Sequence, residues 1–242
     1  MLLETEKTLG EIAAENPAAV RVFEKYQLDF CCHGNRPVEQ ACREKGLSAE
    51  QLLAELESTH VAEQSQDWAA ASLAALAGHI VSRHHNYLRE ELPSLGRTIA
   101  KVIEAHGRNH SDSLLPLQHA FQGLAAELTA HMMKEEMILF PLIERLEAAH
   151  KEGVAFSGAP GGSIGNPIRM MEHEHDSAAA ALAQMRQATS DYTLPPDACN
   201  TYRNLFQRLT ALESDLHVHI HLENNILFPR ACRLEAGPSG RS

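Results

Sequence analysis

An antiparallel four-helix bundle preceded by a small helical domain is the fold this sequence predicts, an all-α protein. Three observations predict it. The 242 residues are rich in Ala and Leu with only 5% aromatics, which favours helix over sheet. No segment alternates apolar and polar residues at the period of a strand. Two long segments carry core-type residues in steps of 4, 3, 4, 3, the spacing of a bundle seam.

The elements follow in order along the chain. Residues 1–57 form a compact block, with short helical patterns around Leu9, Ile12, Val20, Phe23 and Tyr26. The turn-like DFCCHGNRP comes next, then two helices, the second opened by Ser48 with Gln51 three later, a capping-box spacing. Residues 58–67, STHVAEQSQD, read as a polar linker. The bundle is expected over 68–233, with helices at about 68–104, 113–149, 164–189 and 197–232. HGRNHSDS, KEGVAFSGAPGGSIGNP and SDYTLPPDA supply the breaks between them. Residues 234–242 read as a flexible tail.

Composition narrows the partners. A net charge of -11 argues against a general affinity for nucleic acid or an anionic membrane. No stretch approaches the roughly 20 apolar residues of a membrane span, and MLLETEKTLG lacks the layout of a signal peptide. Five cysteines in a chain of this size do not make a disulfide framework, so a reducing cytoplasm is the expected setting. An acidic helical chain fits a monomer or a homodimer equally.

The fifteen histidines decide the rest by position. HMMKEEMILFP (131–141) and HIHLENNILFP (219–229) agree at six of eleven positions, including the His, the Glu four later and ILFP. The second helix seam reads Leu117, Phe121, Leu124, Leu128, His131, Glu135, Ile138, Leu142. The fourth reads Leu205, Leu209, Leu212, Leu216, His219, Glu223, Ile226, Arg230. The first helix offers Ala74, Gly78, Val81, His85, Leu88, Leu92, Leu95 and Ile99. The third offers Ile164, Ile168, Met171, His175, Ala178, Leu182 and Met185. A helix with one inward His followed by a helix with inward His-x3-Glu therefore occurs twice, about 90 residues apart.

Four imidazoles and two carboxylates then point at one level of a core. Burying an unpaired carboxylate costs several kcal/mol or forces it neutral. Metal resolves this, using neutral imidazoles as ligands. Two metal ions can use six such groups: each takes two histidines while the glutamates, with a solvent-derived oxo or hydroxo group, bridge. Imidazole with carboxylate suits iron, manganese or zinc. An open coordination position would admit O2 or NO. The order His-x3-Glu differs from the Glu-x-x-His of ferritin-like sites, so ferritin-type chemistry is not the first choice. The competing reading is a core of hydrogen-bonded His–Glu pairs with no metal.

The other histidines take the plainer reading. His84 falls off the seam, and His173 points away from His175. His217 and His221 share a face with Thr210, Glu213 and Asn224 that reads as solvated. His60, His106, His110, His119 and His150 lie in loops or on outer faces.

HMMKEEMILFP, EHEHDSA and HIHLENNILFP together resemble the hemerythrin-like di-iron domain. With DFCCHGN near the start, the chain resembles more narrowly the Repair of Iron Centres family of iron–sulfur cluster repair proteins, over essentially all of 1–233. The resemblance implies two iron ions per chain, oxo- or hydroxo-bridged, on His85, His131, Glu135, His175, His219 and Glu223. It implies restoration of iron–sulfur clusters damaged by nitric oxide or hydrogen peroxide, by stoichiometric iron donation, with damaged iron–sulfur proteins as partners in a bacterial cytoplasm. A di-iron nitric oxide reductase and an NO or O2 sensor are the alternatives. One departure is visible: family members often read DFCCGG, whereas His33 follows the pair here.

Cys31 and Cys32 are adjacent, so a disulfide between them is strained and joint ligation of one metal is awkward. Thiol exchange, nitrosyl transfer or transient iron capture is the expected use, in a tight turn at Gly34 that exposes them. Cys42, Cys199 and Cys232 carry no motif.

Overall fold

The structure, a computed structural model, describes residues 7–16, 18–59, 67–156 and 162–237. His60, most of the expected linker and the end of the expected tail lie outside the described residues. Ten α-helices are described: α1 (Leu9–Glu15), α2 (Ala19–Lys25), α3 (Val38–Lys45), α4 (Ala49–Thr59), α5 (Leu73–Ile80), α6 (Asn86–Lys134), α7 (Phe140–Glu152), α8 (Gly165–Ala188), α9 (Asn200–His221) and α10 (Phe228–Ala236). Among the described residues the only β-type pairing is an isolated bridge between Thr8 and Pro37.

The chain packs as two compact units that interleave in sequence. The first holds Met1–Gly78, Ile143–Ile164 and His217–Ser242. Its core gathers Leu9, Phe23, Phe30, Val38 and Leu52 from the N-terminal block with Ile220 of α9. Thr8 opens α1 with a full capping box to Glu11. Ser48 accepts the Gln51 N–H at 3.3 Å, as its spacing predicts. The carboxylate of Glu147 accepts the Leu73 and Ala74 N–H groups at 3.0 and 3.3 Å, satisfying free donors at the start of α5.

The second unit holds His79–Leu142 and Gly165–Leu216. Its core runs from Leu88, Leu95 and Ile99 through Leu117, Phe121 and Leu124 to Leu182, Leu205 and Leu209. The expected break at HGRNHSDS is tighter than a loop. Helical geometry is interrupted within α6 at His110 alone (φ -131°, ψ 27°). Arg208 of α9 reaches both oxygens of Glu91 at 2.8 and 3.0 Å, a two-pronged ion pair between α9 and α6.

Three wide π-turns interrupt the long helices, at Val81–His85, Glu135–Leu139 and Leu222–Leu227. In each, an N–H reaches back five residues: Asn86 to Val81, Phe140 to Glu135, Phe228 to Glu223. The repeated ILFP explains where two of them stop. After the bond from Phe140 to Glu135, the next one in that register would need the N–H of residue 141, and Pro141 has none. Pro229 ends the other π-turn in the same way. The chain must then return to the α register.

These turns correct the expected seams. Leu117, Phe121, Leu124, Leu128, His131 and Glu135 are buried, but Ile138 is 48% exposed and Leu139 is buried in its place. In the first helix the buried residues before His85 are Leu73, Leu76, Ala77 and Ile80, one step out of phase with Ala74, Gly78 and Val81. A π-turn inserts one residue, so the buried face shifts by one on its far side. The third helix has no such turn, and its whole predicted seam from Ile164 to Met185 is buried.

Candidate metal centre

Within the second unit, His85, His131, Glu135 and His175 meet, and each is at most 3% exposed. Glu135 Oε2 lies 3.3 Å from Nε2 of both His85 and His131. His175 Nε2 lies 3.1 Å from His131 Nε2. His131, Glu135 and His175 each offer a ligand atom within 4.8 Å of the other two. The placement follows from the chain: the π-turn at Val81–His85 ends on His85, and the next begins on Glu135.

Two acidic residues orient the imidazoles. His85 Nδ1 pairs with Glu136 Oε1 at 2.6 Å, and His131 Nδ1 with Glu174 Oε2 at 2.9 Å. A carboxylate only accepts, so each Nδ1 carries a proton and each Nε2 faces Glu135. Arg89 holds Glu136, and Lys134 holds Glu174. Burial raises the pKa of both glutamates. The hydrogen bonds from Arg89 and His85, and from Lys134 and His131, outweigh it and keep both carboxyls below their ordinary value. Sequence reasoning missed Glu136 and Glu174. The signal was present as an acidic residue beside a ligand position in both KEEM and HEHD.

This donor set fits a metal. Both Glu135 oxygens are fully buried and accept no hydrogen bond among the described residues, although two imidazole nitrogens lie 3.3 Å from one of them. A buried carboxylate without a hydrogen bond is unfavourable in a dry core and is relieved by a cation. Imidazoles whose second nitrogen is tied to carboxylate are the usual metal-ligand arrangement.

In the first unit, His219 Nε2 lies 3.0 Å from Glu223 Oε1, and both residues are at most 1% exposed. The double-cysteine turn is pinned to the residues that follow. Asn224 Nδ2 donates to the Cys31 carbonyl at 3.2 Å, and Asn225 Nδ2 to the Phe30 carbonyl at 3.1 Å. A Cβ on Gly34 would sit 2.3 Å from the Phe30 carbonyl oxygen and 2.7 Å from Asn225 Oδ1. Gly34 is thus required by close approach, and the expectation that it exposes both thiols fails: Cys31 is 5% exposed, and Cys32 is half-buried. Cys31 donates to Cys32 Sγ at 3.8 Å; this bond, then burial, pushes the Cys31 thiol well above its ordinary value. His33, the departure from DFCCGG, binds Asp29 through Nδ1 at 2.6 Å.

Two histidines read as solvated or off-seam are buried. His84 is 3% exposed and pairs with Asp215 at 3.1 Å, because the π-turn carries it inward beside His85. His221 is 3% exposed, packed against Phe30 with the rings tilted by 60°, and bonded to Asn225. Burial lowers its pKa to about 4. Glu213, on the same expected solvated face, is buried against Arg186.

Residues 76–231 match the hemerythrin HHE cation-binding domain, and residues 5–60 match a domain of unknown function, DUF542. The chain is 41% identical over 230 residues to the iron–sulfur cluster repair protein YtfE of Edwardsiella ictaluri, covering 93% of this chain and 96% of the relative. It is 39% identical to YtfE of Escherichia coli O8, again covering 93% and 96%. It is 37% identical to a probable iron–sulfur cluster repair protein of Haemophilus influenzae at the same coverage. The chain belongs to the iron–sulfur cluster repair family. The resemblance read from its motifs is thereby confirmed. The helical fold expected of a hemerythrin-type domain is the one observed. No helix among the described residues of this repair-family chain is long and apolar enough to cross a membrane.

Proposed function

We propose that the chain holds two iron ions on His85, His131, Glu135, His175, His219 and Glu223, joined by a solvent-derived oxo or hydroxo bridge, and donates iron to iron–sulfur clusters damaged by nitrosative or oxidative stress. The observation that carries this is the Glu135 carboxylate, buried without a hydrogen bond and faced by imidazole Nε2 atoms whose Nδ1 partners are Glu136 and Glu174. His219 and Glu223 join the set by register. They continue the α9 seam of Leu205, Leu209, Leu212 and Leu216, all buried, and they repeat the His131–Glu135 spacing. The names of the relatives supply the repair role. A reducing cytoplasm suits it.

The chain's own residues set how firmly iron is held. Glu136 and Glu174 fix the tautomers of His85 and His131, so both present neutral Nε2 without a proton to displace. Cys31 and Cys32 are tied through the Cys31 carbonyl to the residues directly after Glu223. Cys32, the more exposed of the two, is the thiol suited to receive iron leaving the centre. Iron, when bound, supplies both the repair cargo and an open position for NO or O2.

Metal content and the near-ultraviolet and visible spectrum come first, then recovery of an iron–sulfur enzyme inactivated by nitric oxide. About two irons per chain and recovery by the iron-loaded protein are expected, with Glu135→Gln inactive. Equal recovery by metal-free protein at matched free iron overturns iron donation. Many turnovers of N2O per site under NO would favour the reductase instead.

A further inference from the structure

The double-cysteine turn gathers a second set of donors, all within the first unit. Successive side chains of an extended chain point to opposite faces, which is why adjacent cysteines suit joint ligation poorly. The chain bends at residues 31–33 instead. The Cys31 sulfur lies 3.8 Å from Cys32 Sγ and 3.6 Å from Asp29 Oδ1. Asp29, Cys31 and Cys32 each offer a ligand atom within 4.8 Å of the other two. A tetrahedral ion with bonds of about 2.3 Å to sulfur and about 2.0 Å to oxygen sets two sulfurs roughly 3.8 Å apart, and sulfur from oxygen roughly 3.5 Å apart. Both observed distances match these edges. One proton on Cys31 cannot serve both neighbours, whereas one cation at their common point serves all three donors. The frame around them is already set. Asp29 Oδ1 accepts the Cys32 and His33 N–H groups at 3.0 and 3.3 Å, and Oδ2 pairs with His33 Nδ1 at 2.6 Å. Cys31 is buried, while Asp29 and Cys32 are half-buried and keep a side open to solvent.

We propose that Asp29, Cys31 and Cys32 form a mononuclear site for a thiophilic divalent cation, zinc or ferrous iron, with His33 as a positioning residue that orients the Asp29 carboxylate. Both cysteines bind as thiolates and release their protons to solvent. Two thiolates favour such ions over magnesium, calcium or manganese. Three protein donors leave a fourth position for solvent or an incoming ligand, the arrangement of an exchangeable site and not of a closed structural one. The site deepens the role of Cys32 as a receiver of iron, and it rests on that reading only for the identity of its cargo. None of the six residues proposed to hold the two irons belongs to it.

Cobalt(II) added to the full-length protein in a Cys199→Ser/Cys232→Ser background tests it. About one cobalt per chain should give a sulfur-to-cobalt charge-transfer band together with the intense visible bands of four-coordinate cobalt. Zinc should displace this cobalt, and competition with a chelator then gives the zinc affinity; the same competition with ferrous iron under anaerobic conditions ranks the two ions. Cys31→Ser/Cys32→Ser should abolish the charge-transfer band. Asp29→Asn keeps an oxygen for the two backbone N–H groups, so the turn should stay folded, yet zinc affinity should fall about tenfold or more. His33→Gly should weaken zinc binding about tenfold, and His33→Gln, which can still donate to Asp29, should restore most of it. A cobalt spectrum without a sulfur band, or zinc affinity unchanged in both Cys32→Ser and Asp29→Asn, overturns the site; unchanged affinity in His33→Gly overturns the positioning role. The proposed di-iron centre has no thiolate donor. Failure of the iron reading therefore shows as missing iron with the sulfur band intact, and failure of this site as a missing band with iron retained.

Discussion

Asn225 Nδ2 lies within hydrogen-bond reach of three acceptors at once: the Phe30 carbonyl at 3.1 Å, the Cys31 carbonyl at 3.3 Å and His221 Nδ1 at 3.1 Å. One amide thus ties the double-cysteine turn to the helix two residues past Glu223. Asn225→Ala removes the side-chain donor to the part-buried Phe30 carbonyl, at a cost of about 1–3 kcal/mol, while Asn224 still serves the Cys31 carbonyl. The turn should loosen and Cys31 should become accessible. The expected outcome is a rise of at least about tenfold in its alkylation rate, read by peptide mass mapping, with Cys32 reacting before Cys31 in the parent because it is the more exposed. Gly34→Ala should do the same by overpacking, at about 1–3 kcal/mol. Unchanged Cys31 protection in both variants would mean that the turn is held by something other than this amide.

Glu136 and Glu174 touch no expected metal position themselves, yet they fix the tautomers of His85 and His131. Glu136→Gln and Glu174→Gln keep size and remove the charge that holds the Nδ1 proton. Iron retention against a chelator should fall about 10–100-fold in each, with far-ultraviolet circular dichroism unchanged. Iron retention equal to the parent would show that these carboxylates serve only the ion pairs with Arg89 and Lys134.

How far the sequence could be read is clearest at Ile138 and His84. The 4, 3, 4, 3 stepping assumes an unbroken α-helix. It finds His131 and Glu135 because they lie no further than the first residue of the π-turn, and it fails three residues later, where Leu139 rather than Ile138 turns inward. The same slip hides His84 and displaces the seam from Leu73, Leu76 and Ile80 onto Ala74, Gly78 and Val81. The third helix, which has no π-turn, reads correctly throughout. The paired ILFP was the available clue, since a proline at a matched place in two otherwise regular helices marks a local change of register. Burial of His221 and Cys31 was not legible by any such pattern. It depends on the N-terminal block covering that stretch of α9, a tertiary contact with no periodic trace in the sequence.

Glu147 carries a pH prediction. Burial raises its pKa, but the Leu73 and Ala74 N–H groups and Lys151 outweigh this and hold the carboxyl below its unfolded value of 4.5. A carboxyl with a lowered folded pKa contributes stability that is complete above the unfolded value and is lost as pH falls through the folded one. Glu147→Gln should therefore destabilise at neutral pH by about 0.5–1 kcal/mol, the low end for a helix cap because the Lys151 side faces solvent. Near pH 3 the variant and the parent should converge. Denaturant unfolding at both pH values measures this; a difference that persists in acid would assign the cost to packing instead of charge.

Pro141 gives the last prediction. The Phe140 N–H bonds to the Glu135 carbonyl, and residue 141 cannot supply the next N–H, so the wide turn must end there. That limit fixes the rotation of Glu135 relative to the helix that follows. Pro141→Ala restores a donor. The turn can then extend by one residue, or relax to an α register through a bond to the Met137 carbonyl, and Glu135 is no longer held in one phase against His85 and His131. Helix propensity rises with alanine, so total helicity should hold or increase. Iron retention should nevertheless fall on the order of tenfold, comparable to loss of a group that supports a metal ligand. Pro229→Ala should act alike through Glu223, because the Phe228 to Glu223 bond is the same construction. Lower retention at undiminished helicity would separate a change of ligand phase from simple unfolding; full retention in both variants would mean that the surrounding core, and not the prolines, sets the position of the two π-turns.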